Sequence, residues 1–287
     1  MKLKPSLKNL VKPARLFSIL AILIFLHGCQ NQIEPSYKEG NIPELVKKIC
    51  KEEYSLDVTT QRTGETLWIY APLPKILNKE YGIKEDKIFD EEMSEKFRNI
   101  LTTIGRVLIS SDKTPDFFAL VASDINIGLD YTVIASILDI KKSYAQFIPW
   151  TEANKRYVLK FNINPLAMGD TTGAHLVVYN IKLPDFLAEQ IAQRIAYRFQ
   201  EEGLKKFFKI DKAEGRFEND TFIFEYSIAQ TAKPNQAIDI RKEILKTITY
   251  CIQTYEFKSF SLVELIDLTT QNQLIISRAA IWGRSKD

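Results

Sequence analysis

Histidine is almost missing from this chain: His27 and His175 are the two among 287 residues. No H-E-x-x-H pair or histidine cluster can therefore form, and the three cysteines (Cys29, Cys50 and Cys251) make no Cys-x-x-Cys. An ordinary zinc site needs three or four such ligands, so no metal and no cofactor is expected. Glycine is scarce too, with 11 residues that form neither a phosphate-cradling loop nor a G-x-S-x-G elbow. A histidine-assisted nucleophile would have to recruit His175. The sequence nominates no catalytic residue.

Acidic residues are absent before Glu34, whereas Lys2, Lys4, Lys8, Lys12 and Arg15 make the start basic. An apolar run from Leu16 to Leu26 follows, interrupted by Ser18. As a helix its 11 residues reach about 17 Å, against a hydrocarbon layer of about 30 Å. That is too short to span, and the run reads as a signal-peptide core whose charged side stays cytoplasmic. Next come Leu26-His27-Gly28-Cys29. In its basic head, short core and Gly-Cys pair, the chain resembles a bacterial lipoprotein precursor over about its first 30 residues. The resemblance implies cleavage after Gly28, a diacylglycerol on the Cys29 sulfur and, usually, acylation of the new amino terminus. His27 stands where a small or hydroxylated residue is more usual. Gln30, not Asp, implies onward transport to the outer membrane in an organism with two membranes. An ordinary secretory signal and a retained short anchor are the alternatives. Two or three acyl chains, at about 0.8 kcal/mol per buried methylene, make such attachment durable.

Removing residues 1–28 takes away five basic groups, leaving 34 against 36 acidic, a net charge of −2 instead of +3. Nothing then argues for a nucleic-acid partner. The remaining 259 residues are ample for one large or two small cores. Cys50 lies on an apolar stripe with Ile42, Leu45, Val46 and Ile49, and Cys251 on one with Ile244, Leu245, Ile248 and Ile252. These are buried thiols or, in an oxidising compartment, a disulfide.

Residues 29–41 are polar and aperiodic and read as a flexible tether. Helical periodicity follows over Pro43–Tyr54, Asp90–Ser110, Ser136–Phe147, Pro184–Glu202 and Asn235–Tyr255. Strands are expected at "LDVTTQR", "ETLWIYAPL", "DFFALVAS" and "DYTVIAS", then at "FFKIDKAEG", "TFIFEYSIAQ", "SFSLVELID" and "QLIISRAAI". "FALV" and "FSLV" stand 142 residues apart, and Thr66 and Thr221 stand 155 apart, the difference being absorbed by a longer connection in "LPKILNKEYGIKEDKIFD". We read two tandem α-β-β-α-β-β units, 42–136 and 184–287, joined by a linking helix and a candidate hairpin ("RYVLKFNI", "HLVVYNIK") within 137–183. The alternative is two unrelated stretches of similar order. The fold class is α+β, with mainly antiparallel sheets and helices packed on one face. "TFIFEYSI" alternates and should bury one face. "LWIYAPL" is apolar on both, and is either covered on both or exposed at a partner surface.

One loop, "NPLAMGDTTGAH", carries Asp170 and His175, which could form an acid/base pair or merely cap a turn. Residues Asp124 to Asp130 offer oxygens to calcium but lack EF-hand spacing. The reading that follows is an envelope lipoprotein held to the membrane through Cys29, facing the periplasm or cell exterior. It would be a non-catalytic binding or assembly component with a protein partner in the envelope. A periplasmic hydrolase and a carrier of a small apolar ligand are the alternatives, separated by whether a carboxylate pair or a deep apolar pocket exists.

Overall fold

In the computed structural model, residues 36–78, 88–234 and 236–283 are described. The expected signal peptide, Cys29 and most of the tether lie outside them. Among the described residues no helix is long and apolar enough to cross a membrane.

The first unit opens with helix α1 (Ile42–Tyr54), whose Pro43 sits in the first turn. There its missing N–H is one the helix cannot use anyway. Strands β1 (Thr59–Thr63) and β2 (Thr66–Leu73) form an antiparallel hairpin. Helix α2 (Glu91–Ile109) is capped by Asp90, whose carboxylate accepts from the amides of Glu92 at 3.1 Å and Met93 at 3.4 Å. Strands β3 (Phe117–Asp124) and β4 (Leu129–Ser136) form the next hairpin. Because the α2 crossover carries the chain back to the starting edge, β2 and β3 pair in parallel. Two short helices, α3 (Ile137–Tyr144) and α4 (Trp150–Asn154), lead to β5 (Val158–Ile163), antiparallel to β4. The sheet order is β1-β2-β3-β4-β5.

The second unit repeats this order with α5 (Leu183–Gln200), a turn of helix α6 (Glu202–Lys205), β6 (Phe208–Glu218) and β7 (Thr221–Gln230). Then come α7 (Ile240–Thr254), β8 (Leu262–Asp267), β9 (Asn272–Ser277) and a short α8 (Arg278–Gly283). Its sheet runs β6-β7-β8-β9, again antiparallel, parallel, antiparallel. The protein is α+β, with two mixed, mostly antiparallel sheets of five and four strands and helices packed against them.

The shared topology fixes which residues correspond. Asp124 and Asp267 each end a strand, and each places Oδ1 on two amides of the turn that follows: Asn126 and Ile127 in one, Thr269 and Thr270 in the other. The β3–β4 and β8–β9 hairpins therefore correspond at 143 residues, so the FALV/FSLV match at 142 is one residue out of register. A slip of one inverts every side chain. At 143, Leu120 matches Val263, and both are fully buried. Thr66 and Thr221 each open their strand, but their parallel partners, Phe117 and Leu262, stand 145 residues apart.

Helices α1 and α2 cover one face of the first sheet, enclosing Leu67, Ile69, Phe118, Leu120 and Val133 with Cys50, Val46, Ile100 and Ile104. The opposite face (Trp68, Tyr70, Phe117, Ala119, Val121) shares one core with α5, α7 and the inner face of the second sheet. Thus β2 is covered on both sides, whereas β7 alternates buried with half-exposed residues. Each unit's own helices lie on one face of its own sheet, and α5 serves both sheets. At Gly215 of β6 the helix comes so close that an added Cβ would stand 2.2 Å from the Ala188 carbonyl oxygen.

Four local readings need correction. The expected partner of β5 in the candidate hairpin, "HLVVYNIK", forms no strand. Instead 176–182 runs over β2: the Trp68 indole donates to the Tyr179 carbonyl at 2.9 Å, and the amides of Glu65 and Ile181 are held by Asn180 Oδ1 and Thr66 Oγ1. β5 pairs with β4 in its place. The tether ends earlier than 41, because Tyr37 exchanges backbone hydrogen bonds with Ser110 and Asp112, and Glu39 pairs with Arg62 at 2.7 Å. Helix α7 begins at Ile240, capped by Asp239, and Asn235 lies outside the described residues, as does 79–87 of the long connection. Finally, "SRAAI" turns into helix α8 after β9. An apolar run that short carries no period of its own.

Candidate functional site

The structure brings Asp170 and His175 together. Glycines in the left-handed region, Gly169 at φ +73 and Gly173 at φ +79, fold the loop back on itself. Asp170 Oδ1 then accepts from Thr172 N and Oγ1, both at 2.8 Å, and from Gly173 N at 3.0 Å. Oδ2 takes the His175 amide at 3.1 Å and lies 2.6 Å from Nδ1, which places the proton of a neutral ring on Nδ1. The Tyr70 hydroxyl donates to the Asp170 carbonyl, and its ring meets His175 edge-on at 5.5 Å. His175 Nε2 stands 3.4 Å from Asp130 Oδ2, without hydrogen-bond geometry. Asp130 in turn accepts from Ser123 Oγ and, at 3.1 Å, from Asn164 Nδ2.

Ser123 and Tyr70 were not singled out by sequence, and Asp130 and Asn164 entered it only as the ends of the 124–130 turn and the 164–175 loop. A signal existed: Ser123 and Asp130 are polar residues beside apolar runs, and the structure pairs them across β3–β4. The arrangement is a closed clip. The His175 side chain is 3 % exposed, and Ser123 gives its proton to a carboxylate rather than to the imidazole. A nucleophile–base pair needs the opposite order. Burial raises the Asp170 carboxyl, but hydrogen bonds from His175 and Thr172 outweigh it and hold the group well below the usual carboxylate range. Burial pushes the Tyr70 phenol up to about 12, against a lowering contact with Ser123.

The Asp124 carboxylate is likewise occupied: Oδ1 takes the Asn126 and Ile127 amides of its own turn, and Oδ2 accepts the Ile76 amide at 3.0 Å. Among the described residues no three His, Cys, Asp or Glu side chains gather to hold a metal ion. Cys50 and Cys251 are free and buried in separate cores, so they form no disulfide. Burial raises both thiols, that of Cys251 to about 12.

A second polar centre, invisible in the sequence because its members are scattered, lies where the units meet. Arg156 and Asp139 are both buried and pair at 2.8 Å. The Tyr255 hydroxyl donates to Asp139 and accepts from Gln190 Nε2 at 2.7 Å. Glu152 joins Arg156 at 3.0 Å, Arg194 at 2.7 Å and the Tyr250 hydroxyl at 2.8 Å. Burial opposes the Arg156 charge, yet Asp139 and Glu152 outweigh it and strengthen its hold on the proton. The cleft outside this network, about 330 Å³, is lined by ionic side chains such as Lys155, Arg198 and Glu243, a poor match for an apolar ligand.

Large apolar side chains reach solvent at both ends of the first sheet. At the β3–β4 turn, Gly169 N bonds Ile125 O and Asn164 N bonds Gly128 O, which sets the turn against 163–169. Ile127, Ile163, Leu166 and Met168 are thereby gathered, Ile163 being 79 % and Leu166 74 % exposed. At the other end stand Ile109, Leu138, Phe147 and Trp150. Neither a protein-family model nor a curated protein nor a solved structure matches this chain.

Proposed function

We propose that the protein is a lipid-anchored component of a bacterial cell envelope that acts by binding another envelope protein, without catalysis. The observation that carries this reading is the apolar patch of Ile127, Ile163, Leu166 and Met168 beside β5, the edge strand of the first sheet. Clustered exposed apolar groups are a liability in a free protein and an asset in a bound one. The closed Asp170–His175 clip supports a binding role over a hydrolytic one. Attachment through Cys29 places the patch outside the cytoplasm, in the periplasm where there are two membranes. The test is photo-crosslinking in cells from residues 163 and 166, with residue 209 on the second sheet as control. One partner protein captured at both patch positions, and lost with Leu166→Glu, is the expected result. Hydrolytic turnover by the pure protein, abolished by Asp170→Ala or His175→Ala, would refute the reading.

A further inference from the structure

We infer that the opposite end of the first sheet, built from Ile109, Leu138, Phe147 and Trp150 with Lys141 and Lys142, is a second membrane contact that lies on the lipid surface. The inference rests on the lipid-anchor reading above. Tyr37 is fixed to Ser110 and Asp112 by its backbone, and it stands only eight positions after Cys29. Eight residues reach at most about 28 Å, so the anchored chain keeps this end of the fold near the bilayer. The same loop touches α3 directly: the Ile137 amide donates to the Asp116 carbonyl, and Lys141 Nζ donates to Thr114 Oγ1 at 3.2 Å.

The chemistry of the surface fits an interface rather than a protein pocket. Helix α3 ends with Gln146 at φ 61, the Gln146 amide bonding Ser143 O and the Phe147 amide bonding Lys142 O. In this termination the apolar residue in Phe147's place ordinarily packs back on the helix. Phe147 instead stands 80 % exposed, with Trp150 at 55 % and Leu138 at 54 %. Aromatic rings and lysine stems are the side chains that sit at headgroup depth, and each lysine adds attraction to anionic lipid. The one carboxylate on α3, Asp139, is turned inward to Arg156.

The experiment reconstitutes the full lipidated chain in vesicles of phosphatidylcholine and phosphatidylglycerol carrying brominated acyl chains. Trp150 emission is read as the difference between the wild type and Trp150→Phe. The expected result is a blue shift and loss of most of that emission on reconstitution, with Leu138→Ser/Phe147→Ser restoring it while the circular dichroism is unchanged. Wild-type protein that floats with the vesicles while Trp150 stays unquenched and open to iodide overturns this inference and leaves the anchor standing. Protein that does not float overturns both. Crosslinks from residue 147 to a protein instead of lipid would also overturn it.

Discussion

Replacing Asp170 separates a structural clip from a catalytic carboxylate. Asp170→Ala removes the acceptor of five hydrogen bonds. The two from Thr172 are exposed, so water takes them over; those from Gly173 and His175 are partly buried and lose an ionised partner. At about 1.5–3 kcal/mol for a bond to a charged group, less what water restores, the loss is about 4 kcal/mol. At about 2–4 °C per kcal/mol for a chain of this size, the melting temperature falls by about 10 °C. Asp170→Asn keeps an acceptor for the turn but gives up the charge facing His175, and should lose about 1–2 kcal/mol. Urea unfolding followed by circular dichroism reads both values. Because the folded carboxyl is held below its unfolded value, its contribution is complete above pH about 4 and disappears as acid titrates the folded group. The gap between wild type and Asp170→Asn should therefore close in acid. An Asp170→Ala chain within about 0.5 kcal/mol of wild type would refute the clip.

Three further outcomes follow from packing and burial. Gly215→Ala forces a Cβ to 2.2 Å from the Ala188 carbonyl oxygen and should cost about 3 kcal/mol; Gly203→Ala, with nothing within 4 Å, should stay within about 0.5 kcal/mol in the same urea titration. Asp139→Ala leaves the buried Arg156 with Glu152 as its remaining carboxylate and should cost about 3 kcal/mol, of which Asp139→Ala/Arg156→Met regains part, read as coupling in a double-mutant cycle. Under a thiol reagent at neutral pH, Cys50 and Cys251 should stay silent until urea is added, and then two thiols of three should titrate if lipid occupies Cys29.

The elements with strong local signals were readable, and their neighbours were not. Asp90 before the stripe Met93, Ile100, Ile104, Val107 announced α2 to within a residue, and the alternation of Phe222, Phe224, Tyr226 announced which side of β7 is buried. Whether hairpins join in parallel depends on where a crossover helix lands, which no window of sequence records. "HLVVYNIK" looked like a strand because Val177 and Tyr179 alternate; tertiary contacts with Trp68 and Thr66 claimed its backbone first. The Asp170–His175 pair was visible through local spacing. Its companions Tyr70, Ser123 and Asp130 come from strands 40 or more residues upstream, so only the sheet could assemble them. The Asp139–Arg156–Tyr255 network spans 116 residues and left no trace.

Helix α5 has a consequence for dissection of the molecule. By sequence it opens the second half, yet its side chains fill the wall behind Trp68, Tyr70 and Phe117 as well as the hollow of β6 and β7. A cut at residue 183 would leave the front fragment with a bare greasy sheet and the rear fragment with a helix lacking half its bed. The two halves share one keystone, and severed pieces should clump rather than stand as modules.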